Sequence, residues 1–194
     1  MRAVKICGMG GSAIDAFNDD GYEVWGLNNA YAYGKCDRLF IVDSFAEIAA
    51  LSPYYNIPWW DAVKDSQIIT KVPLEFGEIN GVTRFSHKIG ELEKCGSTIV
   101  KRSEVFNMEA TLEYKRTIDL QCTLAYAIAQ AIMEKVDKIE LWGVEIWEFG
   151  ATGFYGCQVQ NINSWLDIAL ARGIKITIPY QILSKIMSTK RIAL

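Results

Sequence analysis

Histidine is almost missing from this chain: His87 stands alone among 194 residues, which rules out a histidine-rich metal centre and leaves one side chain with an unperturbed pKa near neutrality. Basic residues never run more than two in a row and the formal net charge is −3, so the electrostatic footprint of a duplex nucleic acid binder is lacking. No apolar run approaches the roughly 20 residues of a membrane span, and no charged leader precedes a long apolar segment at the N-terminus. Five cysteines, Cys7, Cys36, Cys95, Cys122 and Cys157, lie apart with no C-x-x-C pair. An odd, scattered set points to free thiols and a reducing compartment, so a cytoplasmic protein without membrane or metal is expected. The G-x-S-x-G elbow, the Walker loop and the H-E-x-x-H helix are all missing, which sets aside the common hydrolase and P-loop classes.

What the chain does have is the composition of a packed domain, with 51% hydrophobic and 22% charged residues. At this length one domain spanning 1–194 is expected. Its first part carries the most information. Val4-Lys5-Ile6-Cys7 is a short apolar run that breaks into Gly8-Met9-Gly10-Gly11-Ser12. Ser12 to Phe17 follows as a short helix capped by Gly11 or Ser12, and Tyr22 to Leu27 as a second strand ending in Asn28-Asn29. Glycines allow the backbone to turn tightly and approach a ligand, and the N–H groups of a helix start favour an anion, so a phosphate-bearing ligand is expected beside Gly8, Gly10, Gly11 and Ser12. The alternative is a tight turn with no ligand. Arg38 to Val42 gives a third strand ending at Asp43, and carboxyl ends of strands are where open α/β sheets bind ligands.

Gly8 to Ser12 is a partial dinucleotide fingerprint, with Ala13 where a third glycine is preferred. The acidic ribose partner usual at the end of the second strand is replaced by Asn28 and Asn29, which disfavours an NAD-dependent dehydrogenase. Each amide offers donors and acceptors to a base or sugar, or simply favours a turn. Residues 73–117 show no sustained period and are read as a ligand-covering insertion. The aromatic stretch Tyr54 to Trp60 suits either core packing or an interface, including one between copies of this chain.

Beyond Asp119 the pattern sharpens. Leu120, Leu124, Ala127, Ile128, Ala131 and Ile132 recur at helical spacing, with Asp119 as N-cap or ligand contact, and Gln121 and Thr123 as further donors. Ile139 to Val144 reads as a strand that leads to Glu145, a carboxylate suited to act as a general base or to hold a sugar hydroxyl. A glycine- and aromatic-rich loop containing Trp147 and Tyr155 precedes a helix from about Val159 to Ala171, and Arg172-Gly173 matches a helix C-cap. Alternating strands and helices predict an α/β, single-domain, Rossmann-like, doubly wound and mostly parallel sheet.

Gly8 to Ser12, Val24-Trp25-Gly26-Leu27-Asn28-Asn29-Ala30-Tyr31, Leu124 to Ala131 and Ile139 to Glu145 together resemble a broad Rossmann-like group. It includes a bacterial sialyltransferase family, proteins similar to archaeal pterin pyrophosphokinases, and small bacteriophage proteins with the Trp-Gly-Leu-Asn signature. The resemblance covers roughly 1–45 and 117–180. It implies a cytidine nucleotide-sugar bound by Gly8, Gly10 and Asn28, with an aromatic pair for the leaving phosphate near Trp147 and Tyr155. The chain differs from that family in having Met9 for an asparagine and no histidine after Tyr155. Two functions are thereby expected. One is a nucleotide or nucleotide-sugar binding protein that catalyses glycosyl-type group transfer, with Glu145 and Tyr155 as catalytic residues. The other is a phage protein in the host cytoplasm that sequesters a nucleotide or contacts a host protein without turnover.

Overall fold

The computed structural model describes residues 1–18, 20–42, 67–70, 76–79, 82–85, 103–105, 120–145 and 153–178. The sheet strands in chain order are β1 (Ala3–Cys7), β2 (Glu23–Leu27), β3 (Arg38–Ile41) and β4 (Gln67–Thr70). A hairpin of β5 (Phe76–Ile79) and β6 (Val82–Phe85) follows, then β7 (Ser103–Val105), β8 (Lys138–Trp142) and β9 (Lys175–Thr177). Seven of these form one sheet in the order β7-β4-β3-β2-β1-β8-β9. Every neighbouring pair in it is parallel, while β5 and β6 pair antiparallel outside it. The hairpin and β7 are what the structure describes of the stretch read as an insertion.

Parallel strands are covered on both faces, so their sequences read as nearly continuous apolar runs. β1 is buried at all five positions. Its alternate side chains part company: Val4 and Ile6 join a core built with two long helices, α1 (Thr123–Met133) and α2 (Gly153–Ala171). Alanines 125, 127, 129 and 131 combine high helix propensity with small volume, which lets α1 lie buried along most of its length. α2 buries Val159, Ile162, Trp165, Leu166 and Ala169, a helical stripe worth about 1.5–3 kcal/mol for each large side chain. It ends at Gly173, whose φ of +80° allows the left-handed turn that returns the Ile174 N–H to the Ala169 carbonyl at 3.0 Å.

On the opposite face the cover is a 3-10 helix, Gly11–Phe17, which buries Ala13 and Ala16. Lys5 points to this side and is 1% exposed, an unusual place for an ammonium. It is matched by Asp20 at 2.7 Å and by the Asn18 carbonyl at 3.0 Å. At the amino ends of the strands, Arg2 bridges Glu23 at 2.9 Å and Glu134 at 2.6 Å, and Arg38 pairs with Glu134 while its guanidinium lies 4.6 Å from the Trp25 ring. That network ties β1, β2, β3 and the end of α1 together and leaves the carboxyl ends free for other work. Because β2 and β3 extend from one side of β1 and β8 lies on the other, the strand order reverses between β1 and β8. In open sheets of this kind that reversal marks the end at which ligands bind.

Helix boundaries differ from the sequence expectation in three places. The first helix starts at Gly11, not Ser12, and its N-cap is Gly10 rather than Gly11 or Ser12, because the Gly10 carbonyl takes the Ala13 N–H. α1 starts at Thr123 with Cys122 as N-cap, so Asp119 is not its cap. Cys122 is extended at φ −151°, and the Gln121 N–H is taken by Asn161 Oδ1 of α2 at 3.1 Å, which holds this segment off the helix. α2 begins at Gly153, six residues earlier than expected, and takes in Gly156. Among the described residues no helix is long and apolar enough to cross a membrane.

Candidate ligand site at the strand-order switch

The turn after β1 is locked to the turn after β8. The Gly8 N–H donates to the Trp142 carbonyl and the Gly10 N–H to the Gly143 carbonyl, both at 2.8 Å, so the β1–β8 ladder runs on past the strand ends. Ala13 N–H then bonds the Gly10 carbonyl at 3.0 Å and opens the 3-10 helix. Ser12 sits at the centre of this junction. Its hydroxyl accepts from the Gly143 N–H at 2.8 Å and donates to Glu145 Oε1 at 2.8 Å, while its own N–H donates to the same oxygen at 2.9 Å. A carboxylate of the chain itself therefore occupies both donors of Ser12, two of those the sequence pattern offers to a ligand anion.

Three glycines of this junction stand at close approach: a β-carbon on Gly8 would stand 2.2 Å from the Gly143 carbonyl oxygen, one on Gly10 1.3 Å from Glu145 Oε2, and one on Gly143, whose φ is +61°, 2.7 Å from the Ala13 methyl. The third-glycine position of the fingerprint normally allows a helix to pack near a strand. Here Ala13 fills that position and Gly143 across the turn supplies the room. Glu145 Oε2 is buried and has no hydrogen-bond partner among the described residues. Burial, with a smaller push from the Glu145 charge, raises the Cys7 thiol to about 12, so Cys7 is a neutral thiol bonded weakly to the Gly8 and Ala13 carbonyls at 3.5 and 3.6 Å.

The asparagine pair lies at the adjacent strand end. Asn28 has a φ of +52°, a region that asparagine tolerates better than most residues. Its N–H donates to the Phe40 carbonyl at 2.9 Å, and Thr123 at the start of α1 donates its hydroxyl to Asn28 Oδ1 at 3.3 Å. Asn29 is 2% exposed and its Oδ1 has no hydrogen-bond partner among the described residues. From the segment after the pair, the Tyr33 hydroxyl donates to the Met9 carbonyl at 3.0 Å and joins the asparagine strand end to the glycine turn.

Gly8, Gly10, Gly11, Ser12, Asn28, Asn29 and Glu145 thus gather at one end of the sheet. Gln121 is exposed, and its N–H donates to Asn161 Oδ1 of α2 two residues before Thr123, whose hydroxyl bonds Asn28. Asp43, Asp119, His87, Trp147 and the aromatic stretch 54–60 lie outside the described residues. Tyr155 falls in the first turn of α2, with its backbone alone described. Sequence reasoning missed Gly143 as the partner of Ala13 and Tyr33 as the link to Met9. A glycine at the end of an apolar strand was a signal for the first; a tyrosine in a loop gave none for the second.

No family model matches the chain, and no curated protein matches it in sequence. Among solved structures, the sialyltransferase CstII from Campylobacter jejuni in complex with cytidine-5'-monophosphate aligns over 93% of this chain and 81% of its own, at 16% identity and a TM-score of 0.46. The same enzyme with CMP-3FNeuAc aligns over 92% and 81%, at 15% identity and a TM-score of 0.48. Likeness at this level does not bear on function. The architecture itself is α/β, Rossmann-like and doubly wound.

Proposed function

We propose that this chain binds a nucleotide or nucleotide-sugar in the crevice between the carboxyl ends of β1 and β8, and that it transfers the glycosyl-type group of that nucleotide-sugar. The observation that carries the reading is the strand-order reversal, which brings the Gly8–Ser12 turn, the Asn28–Asn29 pair and Glu145 to one sheet end. Sheets of this kind bind ligands at that point. Two buried acceptors there, Glu145 Oε2 and Asn29 Oδ1, have no hydrogen-bond partner. An unmatched buried acceptor costs about 1–3 kcal/mol, so ligand donors would relieve a standing penalty. Asn28 and Asn29 are assigned to the base or sugar, and Tyr155, in the first turn of α2, to the leaving phosphate.

Thermal unfolding against nucleotides, nucleotide-sugars, S-adenosylmethionine and NAD tests the binding step. A ligand at a hundred times its Kd stabilises by about 2.7 kcal/mol, which raises the midpoint of a chain this size by about 5–10 °C. The rise is expected with a nucleotide-sugar and is expected to shrink in Asn28→Gly, which removes the amide without forcing another side chain into the left-handed region. No rise with any of them refutes the proposal. For the transfer step, the bond from the sugar to the phosphate breaks as the sugar bonds to an acceptor hydroxyl or to water, so with a panel of hydroxyl acceptors present free nucleotide should be released, less in Tyr155→Phe; binding with no release to any acceptor or to water would favour a sequestering protein.

A further inference from the structure

Three of the five N–H groups of the Gly8–Ser12 turn are spent within the chain. Gly8 and Gly10 spend their N–H groups on β8 carbonyls, and Ser12 spends both its N–H and its hydroxyl on Glu145. Among the described residues, the buried side-chain atom of this junction without a hydrogen-bond partner is an acceptor on a carboxylate, Glu145 Oε2, held against the α-carbon of Gly10. A phosphate placed against this turn would meet a negative charge and none of those donors. A hydroxyl would meet an acceptor with no other partner.

We infer that Glu145 is a sugar-recognition residue: its Oε2 accepts a hydroxyl of the ligand's sugar, and the phosphate of the ligand lies away from the Gly8–Ser12 turn. This rests on the nucleotide reading above and deepens it. In doubly wound folds that bind dinucleotides an acidic residue at the end of the second strand holds a ribose hydroxyl. Here that strand ends in Asn28 and Asn29, and the carboxylate comes instead from beyond β8, on the other side of β1. Ser12 fixes its orientation, so a ligand hydroxyl meets a carboxylate already placed. The ligand has to part the packing over Gly10 to reach it, and pairing Oε2 is what makes that opening favourable.

Two sugars carry suitable hydroxyls, the ribose and the transferred sugar, and binding measurements separate them. The probes are cytidine, uridine, adenosine and guanosine monophosphates, their 2′,3′-dideoxy counterparts, the corresponding nucleotide-sugars and pyrophosphate, each titrated calorimetrically into the wild-type chain and into Glu145→Gln. The glutamine keeps an oxygen for Ser12 and turns the other atom from acceptor into donor. If the ribose is the partner, removing its hydroxyls weakens binding to the wild-type chain by about tenfold or more, and Glu145→Gln weakens the ribonucleotide comparably. If the transferred sugar is the partner, the dideoxy nucleotides bind as well as the parents and Glu145→Gln weakens the nucleotide-sugar alone. Pyrophosphate should not bind the wild-type chain.

Nucleotide binding that is indifferent to both the dideoxy change and Glu145→Gln overturns this inference and leaves the nucleotide reading intact. So does pyrophosphate binding that tightens in Glu145→Gln, which would make the carboxylate a plug in an anion site. Failure of every nucleotide and nucleotide-sugar to bind the wild-type chain overturns both.

Discussion

Gly10→Ala provides a test of the Ser12–Glu145 clasp in which the sign of the effect depends on a second residue. Gly10 is extended, with φ −79° and ψ 178°, a conformation that alanine adopts freely. On backbone grounds alone the substitution should therefore stabilise by about 0.4–1 kcal/mol, through the reduced freedom of the unfolded chain. In the wild-type chain, however, the new methyl would stand 1.3 Å from Glu145 Oε2, and the carboxylate has to leave. Two hydrogen bonds from Ser12 to a charged acceptor go with it, partly offset by release of the unmatched Oε2, for a net loss of about 1–3 kcal/mol. In a Glu145→Ala background there is no carboxylate to displace. There Gly10→Ala should be neutral or stabilising, a coupling of about 2 kcal/mol between the two sites. Urea unfolding of the four chains measures it, and at about 2–4 °C per kcal/mol the thermal midpoints report it as well. Equal destabilisation in both backgrounds would refute the placement of the carboxylate over Gly10.

The network at the amino ends of the strands makes a pH prediction. Burial alone would push the Glu134 carboxyl up, but hydrogen bonds from Arg38, Gln130 and Arg2 outweigh it and hold the group below its ordinary value of 4.5. Its stabilising contribution is therefore complete above that value and lost as pH falls through the lowered one; Glu134→Gln should cost about 1–3 kcal/mol at neutral pH and flatten the acid limb of a stability–pH curve. Burial likewise raises the Cys7 and Cys36 thiols, Cys7 to about 12, whereas Cys157 is exposed. Iodoacetamide at mildly alkaline pH, followed by mass spectrometry, should label Cys157 in the native chain and reach Cys7 and Cys36 after unfolding. Trp165, at 1% exposure in the core between α1, α2 and the sheet, should cost about 3–5 kcal/mol on replacement by alanine, read from the urea midpoint.

The parts of this molecule that follow from local rules were legible in its sequence. β1 and β8 are short apolar runs, the turn after β1 is written in glycines, and Gly173 marks the end of α2 where its left-handed φ falls. The start of α2 was not legible, because Gly153 and Gly156 read as loop and the helix that includes them depends on packing against α1 and the sheet. The start of α1 was misplaced for a similar reason: the bond from Gln121 to Asn161 joins residues 40 apart, and no local pattern announces it. Glu145 could be picked out as a strand-end carboxylate. That it would reach back across 133 residues to take both donors of Ser12 depends on the β1–β8 pairing, which only the fold supplies.

The central claim is that a nucleotide-type ligand sits between the carboxyl ends of β1 and β8, and amide chemical shifts report its location directly. A 1H–15N correlation map of the labelled chain would be recorded with and without a nucleotide-sugar that raises the unfolding midpoint. The perturbed amides are expected to cluster at Gly8 to Ser12, Asn28, Asn29 and Gly143 to Glu145. Perturbations confined to the opposite sheet end, around Arg2, Arg38 and Glu134, would contradict it.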